Sequence, residues 1–386
     1  MTLFVLIILI VSLIFVGVWE FHVHQITLKK LPNRIHVNGS RGKSSVVRLI
    51  AAGLRSGGYK TLAKVTGTSP RVIDMEGKDR IIHRLRSPSI GEQLRLLRNF
   101  SRQNPDYVVI ECMAVLPDYQ WVSEHKMVKS NIGVITNVRM DHVDEMGYTM
   151  DDITRSLSNT VPKYGKIVTT NCSTSHIIRE KSEINNSEYI EINSDEISQN
   201  IIEKFPYLEH SENIAIALEV CKLAGIDKDI ALNGMINATP DPGALKILKI
   251  PGVNKFNYFV NAFAANDPQS TYQIFKLLKK RSNQNRIVIF LNSRSDRRYR
   301  TTQMYELVLN KIKPSLFIVR GDDLPNPNDY RHSKNCNIVT FPDSANTDEL
   351  INYLISLDDD YIIGIGNMVG WGEEFVLNLN RVKIND

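Results

Sequence analysis

The sequence predicts an α/β protein of two domains behind one N-terminal apolar helix. The first domain is built on a glycine loop and the second is smaller and Rossmann-like. Three observations carry this reading. Residues 1–19 hold no charged side chain. Asn38-Gly39-Ser40-Arg41-Gly42-Lys43-Ser44-Ser45 lies between a short apolar strand and an amphipathic helix pattern. Strand and helix patterns then alternate along most of the chain, which implies right-handed βαβ units and a mostly parallel sheet.

Met1 to Trp19 is almost wholly aliphatic, an uncharged run just long enough to span a bilayer. No Lys or Arg precedes it and no small-residue cleavage pattern follows it, which speaks against a removed signal peptide. Lys29, Lys30 and Arg34 come after it. The positive-inside rule then places the N-terminus outside and the chain beyond residue 20 in the cytoplasm. A buried core helix is the alternative reading. The expected division is an anchor over residues 1–20, a P-loop domain over 30–240 and a C-terminal domain over 241–386.

The loop follows the strand Arg34-Ile35-His36-Val37 and opens a helix pattern from Val46 to Arg55 that stops at Gly57-Gly58. In that order the three elements make a phosphate cradle. Gly39 and Gly42 let backbone N–H groups converge on phosphate oxygens, and the helix N-terminus adds partial positive charge. Ser40, Arg41 and Ser45 complete the cradle. Lys43 reaches the β- and γ-phosphates of ATP, and the Ser44 hydroxyl can ligate Mg²⁺. Val37 stands where the general pattern has its first glycine.

Asp106 to Glu111 is an apolar strand ending in a carboxylate. Glu111 at that position can ligate Mg²⁺ opposite Ser44, with a solvated strand terminus as the plain alternative. A second buried strand ends at Thr136-Asn137, and the loop after it gathers Asp141, His142 and Asp144. Such a group at a strand's C-terminal edge can bind a second divalent ion or orient an acidic substrate.

Strands are expected at Ile35–Val37, Thr61–Val65, Tyr107–Cys112, Ile132–Asn137 and Lys166–Thr170, with helices such as Ile90–Arg102 and Met150–Asn159 between them. Residues 171–205 read as polar loops with one short strand. Helical runs His210–Leu223 and Asp227–Ala238 follow, and Thr239-Pro240-Asp241-Pro242-Gly243 breaks the pattern. A second set has strands Tyr258–Val260, Arg286–Leu291, Ser315–Val319, Asn337–Phe341 and Tyr361–Ile365. Its helices are Gln269–Lys280, Thr302–Lys311 and Asp348–Leu357. Two α/β domains with one P-loop predict nucleotide on the first, with the second closing over it.

The chain of 386 residues carries a net charge of +5, which suits an enzyme handling anions and is too weak to argue for nucleic acid. Cys112, Cys172, Cys221 and Cys336 lie far apart without metal spacing and read as reduced thiols of a cytoplasmic protein. Basic residues cluster at Arg71–Arg98 and Arg294–Arg300. They are candidates for a polyanion's path, and solvated helix faces of mixed charge are the alternative for the first cluster.

The loop, the strand-end glutamate and the Thr136-to-Asp144 segment, in this order, resemble the Mur ligase superfamily of ATP-dependent amide ligases. Gly39 to Ser45 fits that family's G-T-x-G-K-[ST]-[ST] loop. Glu111 matches its Mg²⁺ glutamate, and Thr136-Asn137 through Asp141-His142 and Asp144 matches its T-N-x-x-x-D-H-x-D segment. The resemblance makes His142 a ligand of a second magnesium and Asn213, in Glu209-His210-Ser-Glu-Asn213, the residue that meets adenine. It implies a Mur-ligase-like ATPase domain with a Rossmann-like domain after it.

Within the superfamily the chain resembles most the catalytic subunits of poly-γ-glutamate synthases. The anchor, Arg34 to Lys43, Val109 to Ala114, Val260 to Pro268, Asn292 with Arg294, Asp296 and Arg297, and Gly364 to Asn367 carry this. No lysine stands near Leu157 or Ser158, where many Mur ligases carry a carbamylated one, and Lys163 is not assigned that role. The interdomain P-G-R of the family reads Pro242-Gly243-Ala244 here. The domain that binds UDP-linked substrate in cell-wall ligases is replaced by the anchor.

The resemblance implies that ATP activates a glutamate carboxylate as an acyl phosphate, which a second glutamate's amine attacks. Lys43, Asn137, Asp141 and His142 would serve the chemistry, and Arg294, Arg297 and Asn266 would join on closure. The implied partners are glutamate and the growing chain, small multi-span and extracellular subunits, and the membrane, with homo-oligomerisation left open. A folylpolyglutamate synthase is the nearest alternative, sharing the layout and a Thr68-Ser69-Pro70. A regulatory P-loop ATPase is a reading of a different class.

Overall fold

The computed structural model describes residues 2–66, 70–82, 89–205, 207–240, 245–263, 268–281, 286–294, 298–330 and 336–384. The chain forms two compact units, Met1–Phe205 with Glu209–Ala244 and Pro206–Leu208 with Leu245–Asp386. Thr68, Ser69, Pro242, Gly243, Ala244, Asn266, Asp296 and Arg297 lie outside the described residues.

The first unit opens with α1 (Thr2–Lys29), which runs past residue 20 without a break. Among the described residues it alone is long and apolar enough to cross a membrane. Its first turns are exposed, but Leu28 and the following Leu31 pack into a core with Leu62, Leu97, Phe100 and Val108. The helix therefore ends inside the unit's own core.

The sheet of this unit comprises β1 (Asn33–Asn38), β2 (Thr61–Val65), β3 (Arg71–Ile73), β4 (Asp79–Ile81), β5 (Tyr107–Glu111), β6 (Ile132–Ile135), β7 (Lys166–Thr170) and β8 (Glu188–Ile192). Its order is β4-β3-β2-β5-β1-β6-β7-β8. The strands from β2 to β8 run parallel, so their C-terminal ends share one edge, while β3 and β4 form an antiparallel hairpin at the margin. β1 sits at the centre, flanked by β5 and β6, with its last four residues buried. Helices α2 (Lys43–Ser56), α3 (Glu92–Ser101) and α4 (Pro117–Val122) follow the first strands.

The hairpin departs from the sequence reading of helix faces in this stretch. Arg48 of α2, almost fully buried, makes a bidentate pair with Asp79 at 2.9 and 2.7 Å. Arg71 also reaches Asp79, at 3.5 Å, and Arg80 reaches Asp74 at 3.2 Å. Two of the cations that looked like a polyanion path, Arg71 and Arg80, are thus matched by carboxylates of the hairpin itself. Residues 171–205 likewise hold more order than their polarity predicts, with a helix at Ser175–Ile184 ahead of β8.

The second unit has β9 (Tyr207–Leu208), β10 (Leu245–Pro251), β11 (Phe256–Asn261), β12 (Arg286–Asn292), β13 (Leu316–Arg320), β14 (Asn337–Phe341) and β15 (Asp360–Gly366), ordered β14-β13-β12-β15-β11-β10-β9. Apolar clusters cover its two faces. β10 and the terminal helix Trp371–Val382 are additions to the elements expected from the sequence.

Under the central strand lies a buried ion pair. His36 of β1 is fully buried and its Nδ1 meets Glu124 Oε2 at 2.8 Å. Glu124 belongs to a π-turn, Ser123–Val128, that continues α4, and its other oxygen accepts from Ser130 N and Oγ at 2.8 and 3.0 Å. Burial alone would lower the imidazole's affinity for its proton, but Cys112 and Glu124 outweigh it and raise His36 to about 10. A raised histidine pKa stabilises the fold fully below the ordinary value of 6.5 and loses that contribution as pH rises through about 10. Glu124→Ala strips three donors of their acceptor and is expected to cost about 3–5 kcal/mol at pH 7. Denaturant unfolding of the detergent-solubilised protein checks this. The gap between wild type and variant should shrink from pH 7 toward 10, and a gap independent of pH contradicts the assignment.

Candidate active site

Every described site residue before the second unit gathers at the C-terminal edge of β1, β5 and β6. β1 hands the chain to Gly39, whose φ of +132° no side-chain-bearing residue adopts easily. A Cβ there would stand 2.1 Å from Thr136 Oγ1 and 2.8 Å from Thr136 N. Gly42, with φ +80°, begins α2, and no side chain caps that helix. Its first-turn N–H groups are therefore left for a ligand, with the helix dipole behind them.

The loop between the glycines is held from β6. Asn137 accepts from Arg41 N at 3.1 Å through Oδ1 and donates from Nδ2 to Arg41 O at 3.0 Å. Thr136 Oγ1 donates to the same carbonyl at 2.6 Å. Ser40 N donates to Asn137 O at 3.0 Å, and the buried Ser40 hydroxyl joins both the N–H and the C=O of Arg139 at 2.9 Å. Asn137, expected among the catalytic residues, is thus placed as the clamp of the loop backbone. Lys43 folds over the loop, with Nζ 2.6 Å from Gly39 O and 3.2 Å from Ser40 O. Ser45 lies half-buried in the first turn of α2.

Glu111 ends β5 almost fully buried, and its Oε2 accepts from Ser44 Oγ at 2.8 Å and Thr66 N at 2.7 Å. This hydroxyl and carboxylate are two hard oxygen donors converging beside a phosphate loop. They fit a Mg²⁺ ion, which takes one or two protein oxygens and completes its shell with phosphate and water.

The Asp141-to-Asp144 loop lies next to the cradle on the β6 side. Asp141 approaches the Arg41 guanidinium at 3.4 Å. His142, half-exposed and in the left-handed region at φ +49°, has ring nitrogens 4.0 Å from Asp141 and 3.9 Å from Glu145. Asp144 accepts from Tyr148 at 3.4 Å. Among the described residues no three His, Cys, Asp or Glu side chains converge as a ready metal cage. Leu157 and Ser158 are buried, and no lysine stands there.

Asn213 sits on the other side of Gly42. Its Oδ1 lies 2.6 Å from where a Gly42 Cβ would be, and its Nδ2 donates to Glu209 Oε1 at 2.7 Å. Glu209, fully enclosed, also accepts from His210 N at 2.9 Å. Burial pushes its carboxyl up to about 7, against the pull of those two hydrogen bonds. From the sequence alone Glu209 has no role of its own beyond its place in the Asn213 segment, because its hydrogen bond to Asn213 has no local signal. Arg294 belongs to the second unit, just beyond β12, where it lines one pocket with Asn292, Arg300 and Asn367.

Two family models match the chain. Residues 37–239 match the Mur ligase middle domain and residues 247–381 match the poly-gamma-glutamate synthase CapB C-terminal domain. The PGA synthase CapB of Bacillus subtilis (strain 168) is 35% identical over 385 residues, 98% of either chain. The capsule biosynthesis protein CapB of Bacillus anthracis is 39% identical over 315 residues, 81% of this chain and 68% of that one. Solved structures share the fold at low identity. A folylpolyglutamate synthase from Thermotoga maritima aligns with a TM-score of 0.62 at 16% identity, covering 95% of this chain and 94% of that one. MurF from Acinetobacter baumannii aligns with a TM-score of 0.66 at 14%, covering 94% and 79%.

Gly39→Ala should weaken ATP binding by roughly 10- to 100-fold, the equivalent of about 1–3 kcal/mol of backbone strain in the loop. Titration with a fluorescent ATP analogue checks it. Gly58→Ala is the control, since Gly58 has φ +89° but open space around its Cβ position. Equal weakening in both variants, or none in either, contradicts the close-contact account.

Proposed function

We propose a residue-level mechanism for this chain, which belongs to the poly-gamma-glutamate synthase CapB family of Mur ligases. It is an ATP-dependent amide ligase of poly-γ-glutamate synthesis. A carboxylate is a poor electrophile at neutral pH, so its oxygen attacks the γ-phosphorus of ATP. ADP leaves and an acyl phosphate forms. The amine of a glutamate then attacks the acyl carbon, phosphate leaves, and the nitrogen loses a proton.

The loop N–H groups and Lys43 hold and neutralise the β- and γ-phosphates, so charge developing on the bridging oxygen meets donors already in place. Arg41, Gly42 and Ser45 complete that cradle. Ser44 and Glu111 would hold Mg²⁺, which would supply Lewis-acid charge at the phosphates. His142, with Asp141 beside it, would hold a second divalent ion, whose charge would offset that of the carboxylate and the phosphates. Asn213 is assigned to the adenine and Arg294 to the nucleotide phosphates. Asp141 and Asp144 are the carboxylates at hand for the amine's proton. The observation that carries this reading is the Ser44–Glu111 oxygen pair at 2.8 Å beside a clamped, uncapped helix start.

The reading extends to the membrane. α1 supports a single-pass anchor with the catalytic units in the cytoplasm. One span cannot export a polymer, so small multi-span and extracellular subunits are the expected partners in a synthase complex.

Lys43→Ala and Glu111→Ala should each lower glutamate-dependent ADP release by at least roughly 100-fold with circular dichroism unchanged. ADP release measured with Mg²⁺-ATP and glutamate checks this. Activity within a few-fold of wild type in either variant contradicts the assignment.

A further inference from the structure

The last turns of α1 join the catalytic unit with no linker. His24 Nε2 meets Met127 O at 2.9 Å, and Lys129 Nζ reaches Gln25 Oε1 at 3.2 Å. The Arg34 guanidinium donates to Leu28 O and Leu31 O at the end of α1. It also donates to Val128 O at 2.9 Å and to Lys129 O at 3.0 and 2.7 Å, so one side chain caps both segments. The helix leaves the unit at a fixed place.

That place is basic. Lys129 Nζ stands 5.9 Å over the Phe21 ring, and Lys126 Nζ stands 5.2 Å over the ring of the exposed Trp121. Arg98 of α3 lies within electrostatic reach of His24, and Lys29 and Lys30 are exposed at the helix end. On the same elements, Glu20 and Asp118 are the carboxylates without a described ion pair; Glu124 is buried against His36, and Glu92 pairs with Lys64 at 3.1 Å. A helix rises about 1.5 Å per residue, so Leu3 to Trp19 spans roughly 26 Å, close to the hydrocarbon thickness of a bilayer. Phe21, and Lys129 over it, then stand within one turn of the headgroups. An ammonium over an aromatic ring is the arrangement that suits this interface, with the ring toward acyl chains and the charge toward phosphate.

We propose that Lys29, Lys30, Arg98, Lys126 and Lys129 form a collar that binds the phosphate headgroups of anionic lipids around α1. The proposal rests on α1 crossing the bilayer. Its source of phosphate is the membrane itself, because the cations come from three sequence-distant segments that share only the exit point of α1. Binding at the collar gains about fivefold per engaged cation in an anionic bilayer.

The full-length protein is placed in nanodiscs of phosphatidylcholine alone or of phosphatidylcholine with phosphatidylglycerol. An amine-acetylating reagent is applied, and modification of Lys126 and Lys129 is followed by mass spectrometry, with Lys228 of the same unit as reference. The expected result is about fivefold slower modification of Lys126 and Lys129 in anionic discs, with Lys228 unchanged after correction for reagent. Equal rates in the two discs, or the same slowing at Lys228, overturn the collar. Ser12→Cys, probed with a water-soluble maleimide, keeps the two claims apart. A blocked cysteine with equal lysine rates leaves the span and removes the collar, and a readily labelled cysteine removes both.

Discussion

One amide side chain sets the shape of the site. Asn137 takes both the N–H and the C=O of Arg41, so the two peptide units that flank this one residue of the glycine loop are fixed in space and orientation. Thr136 adds a third bond to that carbonyl. The chemistry dictates the orientation of the amide, since only its NH₂ can donate to a carbonyl. With Arg41 pinned, Gly39 is pressed against Thr136 and Gly42 against Asn213, and neither leaves room for a Cβ. The free N–H groups of α2 then point at one spot, which Lys43, Ser44 and Glu111 surround.

The clamp works because β1 and β6 are neighbours in a parallel sheet, which brings residues about a hundred positions apart to one edge. β1 is the spine of the unit. At its start, Arg34 fastens the end of α1 and the end of the π-turn. In its middle, His36 is braced by Glu124 of that same π-turn. At its end, Asn38 donates to Gln120 of α4 at 2.8 Å, and the loop begins. The end of α1, the buried ion pair and the phosphate cradle thus share one six-residue strand, so the nucleotide loop has a firm path to α1.

Much of this is legible in the sequence. The strand, loop and helix around Gly39 to Ser45 carry their own chemistry, and Glu111 announces itself as a charge at the end of an apolar run. Thr61–Val65, Lys166–Thr170 and Asn337–Phe341 fall where the apolar runs put them; the first two are buried strands with parallel neighbours, which read as largely apolar stretches, and the third is a partly exposed edge strand. The hairpin of β3 and β4 was not legible, because Arg71, Asp79 and Arg80 look solvated until Arg48 is seen to bury Asp79. Nor were the partners of His36 and Asn137. Both bonds join residues about ninety positions apart, and no local pattern encodes which strand will be the neighbour.

The most direct test of the account is the mass spectrum of what the purified, detergent-solubilised protein makes from Mg²⁺-ATP. Parallel samples would hold L-glutamate, D-glutamate, a γ-linked glutamate oligomer or a folate. A ladder of masses spaced by one glutamate residue, with one ADP released per bond, is the predicted result. Extension of the folate alone, or ADP released with no amide product even when the membrane subunits of the synthase are supplied, would contradict it.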